Sequence, residues 1–334
     1  MAMKALILAP FSPTVLERLR KSLGIVYESW LETRRLLSSE EFIDRIEGQD
    51  IGIVVVEADF LSREVFQKAR KLKLVGACRG DVTHVDVEAA TEHGVLVINT
   101  PARNAIAVAE LTLGLMLALV RNIPVAHKMV SSGGWVDPMA PYLSLRGAEL
   151  AGKTIGIIGF GAIGQRVAKR LSAFEASILV YDPHVDPERI KELGTQPLEL
   201  DALMEQSDLV TLHCSTVPET MGLINAQRIA LMKPTAYLVN TASAYVVDNQ
   251  AVAQALEERR IAGAAFDVYQ TWPVRPEDPL LKLDNVVLTP HIGGATEETV
   301  VRHSQMIGDD IERFLKGQRP ENMANPQVWE KGVR

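Results

Sequence analysis

Short β-branched runs alternate with stretches of helical period along most of the chain. Lys4–Leu8, Ile51–Val56, Leu72–Ala77 and Val95–Asn99 are nearly continuous apolar runs, the pattern of strands buried on both faces. Thr14–Leu23 and Ser62–Arg70 carry helical spacing between them, the second opening at Ser62 as an N-cap. The pattern breaks at Asn99-Thr100-Pro101. A long apolar helix starts near Asn104, and the turn-rich SSGGWVDPMAP (131–141) follows. Alternation resumes at Lys153, with strands predicted at Thr154–Ile158, Ile178–Tyr181, Leu209–His213, Tyr237–Asn240, Ala264–Val268 and Val286–Leu288. After Pro290 one more helix, roughly 297–315, reaches the tail. This alternation predicts an α/β chain built on parallel sheets with helices on both faces.

Composition narrows the class. The 334 residues are 47% hydrophobic and 23% charged, an ordinary globular balance in a chain long enough for about two domains. The net charge of −7 is spread without blocks, which speaks against nucleic acid as a partner, since phosphates call for a basic face. Cys78 and Cys214 are too few for a disulfide framework and point to a reducing compartment. The longest apolar run, Ile106–Val120, contains Glu110 and falls short of the roughly 18 residues a spanning helix needs. The opening MAMKALILAPFSP does not read as a secretory signal. The expected setting is cytoplasmic, with a small-molecule substrate and no membrane. No metal-ligand set enters this reading.

The sharpest motif is Gly159-Phe160-Gly161-Ala162-Ile163-Gly164, which follows the apolar strand KTIGII and opens the amphipathic helix GQRVAKRLSAF. Glycines so placed give a tight turn, a close backbone approach to a pyrophosphate and close packing of helix on strand. The helix N-terminus then offers free N–H groups and a partial positive charge to the phosphates. Asp182 ends the next strand, SILVYD, at about the offset of 20 residues where an acid bonds the adenosine ribose. An acid there repels a 2′-phosphate, so the cofactor read from these residues is NAD rather than NADP.

These residues and several other fragments resemble the D-isomer-specific 2-hydroxyacid dehydrogenase family (phosphoglycerate dehydrogenase-like). The resemblance runs from about residue 50 to 320. It is carried by VDVEAATEHGVLVINTP (85–101), NAIAVAELTLGLMLALVR (104–121), GKTIGIIGFGAIGQRVA (152–168), LHCSTVPETMGLIN (212–225), LMKPTAYLVNTAS (231–243), AGAAFDV (262–268) and LTPHIGGAT (288–296). It implies two doubly wound parallel-sheet lobes. A flavodoxin-like substrate domain is made of residues 1–103 and 292–334, and an NAD(P)-binding Rossmann domain of 104–291. It also implies a homodimer paired through the NAD-binding domain. Carried over position by position, Gly159, Gly161, Ala162, Ile163 and Gly164 face the pyrophosphate and Asp182 the ribose. His213, Cys214, Thr241, Ala242 and Ser243 line the cofactor, and Asp267 accepts from the nicotinamide carboxamide. His291, Gly293 and Gly294 close the pocket, and the loop Arg79-Gly80-Asp81 cradles the substrate.

Reduction of a 2-oxo acid needs a cation on the carbonyl and carboxylate, a general acid, and a carboxylate that orients the acid. The family supplies an arginine, a histidine and a glutamate. The histidine matches His291. Ser243 stands at the arginine position, Trp272 at the glutamate position, and Asp81 where glycine is common. Serine cannot replace a bidentate, always-charged fork, whose hydrogen bonds are worth about 1.5–3 kcal/mol each. Tryptophan donates an N–H but cannot accept the imidazole proton. Arg79, Tyr245 and Arg275 are the nearby polar groups in sequence, and Asp81 is a competing partner for Arg79.

Three readings stay open. The favoured one is an NAD-dependent oxidoreductase with altered substrate chemistry, acting on a neutral or aromatic-stacking compound such as a polyol or sugar-derived alcohol. The second is an NAD-binding protein without catalysis, serving as a sensor or interaction module. The third is an ordinary 2-hydroxyacid dehydrogenase in which neighbouring groups compensate.

Overall fold

A computed structural model describes residues 3–334. Two units divide the chain, one made of the residues up to Arg103 with Thr296–Arg334, the other of Asn104–Ala295. The second crossing, drawn from sequence after residue 291, lies four residues further on. Ile292 and Gly293 stay with the second unit because Asp267 holds their amides.

The first unit carries strands β1 (Lys4–Ile7), β2 (Gly24–Tyr27), β3 (Ile51–Val56), β4 (Leu74–Ala77) and β5 (Leu96–Ile98). They form one parallel sheet in the order β2-β1-β3-β4-β5, the flavodoxin-like arrangement. All six residues of β3 are buried, as its unbroken apolar run requires. One face packs Leu6, Val54 and Val75 against Phe42 and Phe66. The other packs Ile7, Ile53 and Leu74 against Leu19 and Ile307, the latter from the long helix Glu297–Leu315. Sequence pattern does not reveal β2: it is an edge strand with half-exposed residues, so its side chains lack the contrast that marks a buried run. The helices Ser39–Gln49 and Pro326–Lys331 are likewise additions to the predicted elements. The first was signalled by a capping box, Ser38 and Glu41 bonding each other's backbone amides.

The second unit holds β6 (Thr154–Ile158), β7 (Ser177–Tyr181), β8 (Gln196–Pro197), β9 (Leu209–Leu212), β10 (Tyr237–Asn240), β11 (Gly263–Phe266) and β12 (Val286–Leu288). Their order, β12-β11-β10-β9-β6-β7-β8, is a doubly wound parallel sheet whose direction switches between β6 and β9. Six strands were expected; the seventh, β8, is a two-residue edge piece too short to show a period. The apolar helix Ala105–Val120 packs Met116 and Leu119 against Ile155 and Ile157, and its Glu110 pairs with Arg170 of the helix Ala162–Leu171. Among the described residues no single helix is long and apolar enough to cross a membrane.

Candidate active site

Open parallel sheets bind ligands outside the carboxyl ends of their strands, at the switch point. In the second unit the switch-point strands β6 and β9 run directly into Gly159 and into His213-Cys214. Gly159 has φ +93, and a Cβ there would overlap the backbone of His213 and Cys214. A Cβ on Gly164 would strike the carbonyl oxygen of Gly159. One on Gly161, the N-cap of the helix Ala162–Leu171, would meet nothing within 4 Å. The first two glycines therefore close the turn, and the third leaves open space before an uncovered helix N-terminus, which suits a pyrophosphate. Asp182, just beyond β7, accepts from Phe160 N–H at 2.7 Å and from His184 N–H at 2.9 Å. Each carboxylate oxygen so engaged keeps a lone pair for a ribose hydroxyl.

The same loops hold two groups that burial keeps neutral. His213 bonds Thr211 Oγ1 through Nε2 at 3.0 Å, and its shielded Nδ1 has no partner among the described residues. Burial pushes this ring down to about 3. The Cys214 thiol is pushed up to about 11, again first by burial. Neither carries charge near neutral pH, so a phosphate meets no ionised side chain from either.

Beyond β10 the backbone turns sharply, and Asn240 staples the turn. Its Nδ2 donates to Ser243 O at 2.9 Å, and its Oδ1 accepts from Ala242 N–H at 3.0 Å. Thr241 is fixed from the opposite side by Thr112 of the long apolar helix, hydroxyl to hydroxyl at 2.9 Å. Neither Asn240 nor Thr112 figured among the expected site residues. Asparagine at a strand end is a turn signal that could have marked the first, whereas Thr112 sits in an apolar run and gives none. Ser243 accepts from Tyr245 N–H at 3.3 Å, so its hydroxyl is engaged by the local backbone.

Asp267 follows β11 and is 2% exposed. Its Oδ1 accepts from Thr289 Oγ1 at 2.7 Å and Ile292 N–H at 2.8 Å, and its Oδ2 from Gly293 N–H at 2.7 Å. These bonds straddle His291, whose φ of +55 is unusual for a residue with a Cβ. The carboxylate read as a nicotinamide partner thus also clamps the histidine loop. Tyr269 hangs on the same loop, donating to Thr289 O at 3.0 Å.

The indole of Trp272 meets the His291 imidazole edge to face, with ring centroids 4.0 Å apart. Both line a cavity of about 390 Å³, together with Ser243, Tyr245, Tyr269 and Gln270. Trp272 is 63% and Tyr245 49% exposed, so two aromatic faces stand open there. Among the described residues no carboxylate or guanidinium lines this cavity. Arg275, close in sequence, is exposed and is not among its walls.

In the first unit, Arg79, Gly80 and Asp81 follow β4. Asn99 Nδ2 donates to Gly80 O at 2.8 Å, and Thr100 N–H to Arg79 O at 2.9 Å, which fixes the loop's course. Among the described residues no group of His, Cys, Asp and Glu suits a metal ion.

Comparisons with known proteins point to one family. Residues 113–293 match the model of the D-isomer specific 2-hydroxyacid dehydrogenase NAD binding domain. The glyoxylate reductase of Thermofilum pendens is 42% identical over 296 residues, 87% of this chain and 86% of that one. The D-3-phosphoglycerate dehydrogenase of Methanocaldococcus jannaschii is 40% identical over 290 residues, 86% of this chain but only 54% of the longer relative. Among solved structures, the NADPH-dependent glyoxylate/hydroxypyruvate reductase of Sinorhizobium meliloti, in complex with citrate, superposes with a TM-score of 0.82 at 27% identity, covering 96% of this chain and 97% of that one. Oxidoreductases acting on CH–OH groups with a nicotinamide cofactor make up this family, and the chain belongs to it: it is a D-isomer-specific 2-hydroxyacid dehydrogenase family member.

Proposed function

We propose that this chain is an NAD-dependent oxidoreductase that interconverts a hydroxy and an oxo compound at His291, in a pocket remodelled for a substrate other than a small 2-oxo acid. The observation that carries the reading is the cavity that Ser243 and Trp272, at the positions read as the family's arginine and glutamate, line together with His291. A bound nicotinamide ring would supply or remove the hydride. The residues 159–164, 182, 213–214, 241–243, 267 and 293–294 would hold that cofactor, with the carboxylate of Asp182 favouring NAD over its 2′-phosphorylated form. His291 would give a proton to the nascent alkoxide or take one from the alcohol. Trp272 packs on that ring edge to face. A neutral, hydroxyl-bearing compound suits such walls, because a buried carboxylate without a cation is costly.

The decisive comparison is the double variant Ser243→Arg/Trp272→Glu beside the parent, assayed with NADH and a panel of 2-oxo acids. Gain of activity in the double variant over a near-silent parent is the expected result. Brisk turnover of 2-oxo acids by the parent would overturn the remodelled pocket. Silence of both, with NADH bound and every hydroxy compound refused, would favour a cofactor-binding module without catalysis.

Pairing of two copies through the cofactor-binding unit belongs to the same reading, in a cytoplasmic setting. The segment after the long helix exposes Val130, Trp135, Val136, Met139, Tyr142 and Leu143, apolar side chains that a partner copy could cover. Sedimentation at twice the chain mass, reduced to one by Tyr142→Asp/Leu143→Asp, is expected.

A further inference from the structure

Tyr269 lines the cavity that holds His291, but its hydroxyl is committed to main chain. Its Oη donates to Thr289 O at 3.0 Å and to Phe266 O at 3.2 Å, bridging the end of β11 and the residue just past β12. Thr289 is thereby engaged at every polar atom. Its N–H donates to Phe266 O at 3.0 Å and its Oγ1 to Asp267 Oδ1 at 2.7 Å. Its carbonyl accepts from His291 N–H at 2.9 Å as well as from Tyr269. The bond from His291 spans two residues, a γ-turn about Pro290, whose ring fixes φ. His291 leaves that turn at φ +55, a conformation that a residue with a Cβ keeps only where its surroundings impose it. Tyr269 bonds the carbonyl on which this turn closes.

The hydroxyl is suited to that task. Burial, and after it the Asp267 charge, pushes it up to about 12, so it stays a donor across the neutral range and is not itself a proton source. Asp267 grips the loop through Thr289 Oγ1 and the amides of Ile292 and Gly293. A carboxylate cannot bond the Thr289 carbonyl, since both are acceptors, and Tyr269 supplies that hold. The contact at stake is close: the Trp272 indole meets the His291 imidazole at 4.0 Å between centroids. We propose that Tyr269 is a positioning residue: by tying Thr289 O to the end of β11, its hydroxyl fixes the turn that sets the His291 imidazole against Trp272. It acts through His291 and touches no reacting atom, and the inference rests on the reading of His291 as the acid–base group.

Tyr269→Phe removes only the hydroxyl and keeps the ring in the cavity wall. The test compares it with the parent as NADH-saturated protein labelled with carbon-13 at histidine Cε1. The His291 resonance is the one missing from His291→Asn. The ring current of Trp272 makes the His291 Hε1 shift a ruler of their contact. In Tyr269→Phe that shift should move, while NADH affinity is unchanged. With a compound that the parent turns over, kcat should fall roughly two- to ten-fold, the span of one neutral hydrogen bond, with KM unchanged. An unmoved His291 shift, or a lower unfolding temperature as the only change, would overturn the proposal. The two ideas fail separately. An unmoved shift, in a protein whose turnover depends on His291, sinks this inference and spares the oxidoreductase reading. A moved shift, in a protein that turns over nothing, supports the positioning of His291 and overturns that reading.

Discussion

Two stretches along the carboxyl edge of the second unit's sheet are built differently. At the switch point the binding surface is backbone: Gly159 and Gly164 admit no Cβ, and Gly161 leaves its approach open. At the His291 cavity the surface is side chain, and Ser243 and Trp272 line it at the positions that the proposed reading takes for the family's arginine and glutamate. A site written in glycine and helix geometry tolerates almost no substitution without moving main chain. A site written in side chains can exchange its chemistry while the frame stays. Asn240, Thr112 and Asp267 belong to that frame, and they hold the loops around the pocket by ordinary buried hydrogen bonds.

The contrast can be broken most severely at Gly164. A Cβ there must displace the Gly159 carbonyl, so Gly164→Ala is expected to cost about 1–3 kcal/mol of stability, as overpacking does. It should also abolish measurable NADH binding. Thermal unfolding and a fluorescence titration check both, and a variant that binds NADH normally would show the turn to be more pliant than described.

Asp267→Asn sharpens the contrast from the other side. An amide cannot accept all three hydrogen bonds, because its Nδ2 faces an N–H or O–H donor. Losing one bond to a charged group corresponds to roughly a ten- to hundred-fold loss. It should fall on kcat with a distorted pH profile, as His291 loses its fixed loop. A change confined to the KM for the cofactor would assign Asp267 to the nicotinamide alone.

A third expectation, confined to acid pH and to stability, concerns the first unit. His84 titrates near 4 when folded against an ordinary value of 6.5. Its folded value is depressed, so the unfolded chain takes up the proton first as pH falls. Stability attributable to His84 is therefore full above about 6.5 and declines between there and pH 4, by about 3 kcal/mol at most. Urea midpoints at pH 7 and pH 4.5 should differ less in His84→Asn than in the parent. Equal pH dependence would remove His84 from the account.

The sequence made the sheets legible wherever a strand is buried on both faces, as in β3, β4, β6 and β9. It was silent at two of the four edges: β2 is half-exposed and β8 is two residues long, so neither carries a hydrophobic signature. In the site, the glycine loop declared itself because backbone constraints leave few residue choices. The departures at positions 81, 243 and 272 became visible only against the family resemblance. What sequence could not supply was the pairing of side chains distant along the chain, such as Asp267 with the His291 loop and Thr112 with Thr241. Nothing local in either partner predicts those bonds.

The central claim is that the cofactor end is conventional and the substrate end is not. It is tested most directly by steady-state kcat/KM for the unmodified protein, measured with NAD(H) against matched 2-oxo acids and neutral hydroxy or oxo compounds, with His291→Ala as the control. The account predicts turnover of a neutral compound, lost in His291→Ala by about 10²–10⁴-fold, with 2-oxo acids far behind. Preference for 2-oxo acids at rates ordinary for a dehydrogenase, about 1–10³ s⁻¹, would contradict it.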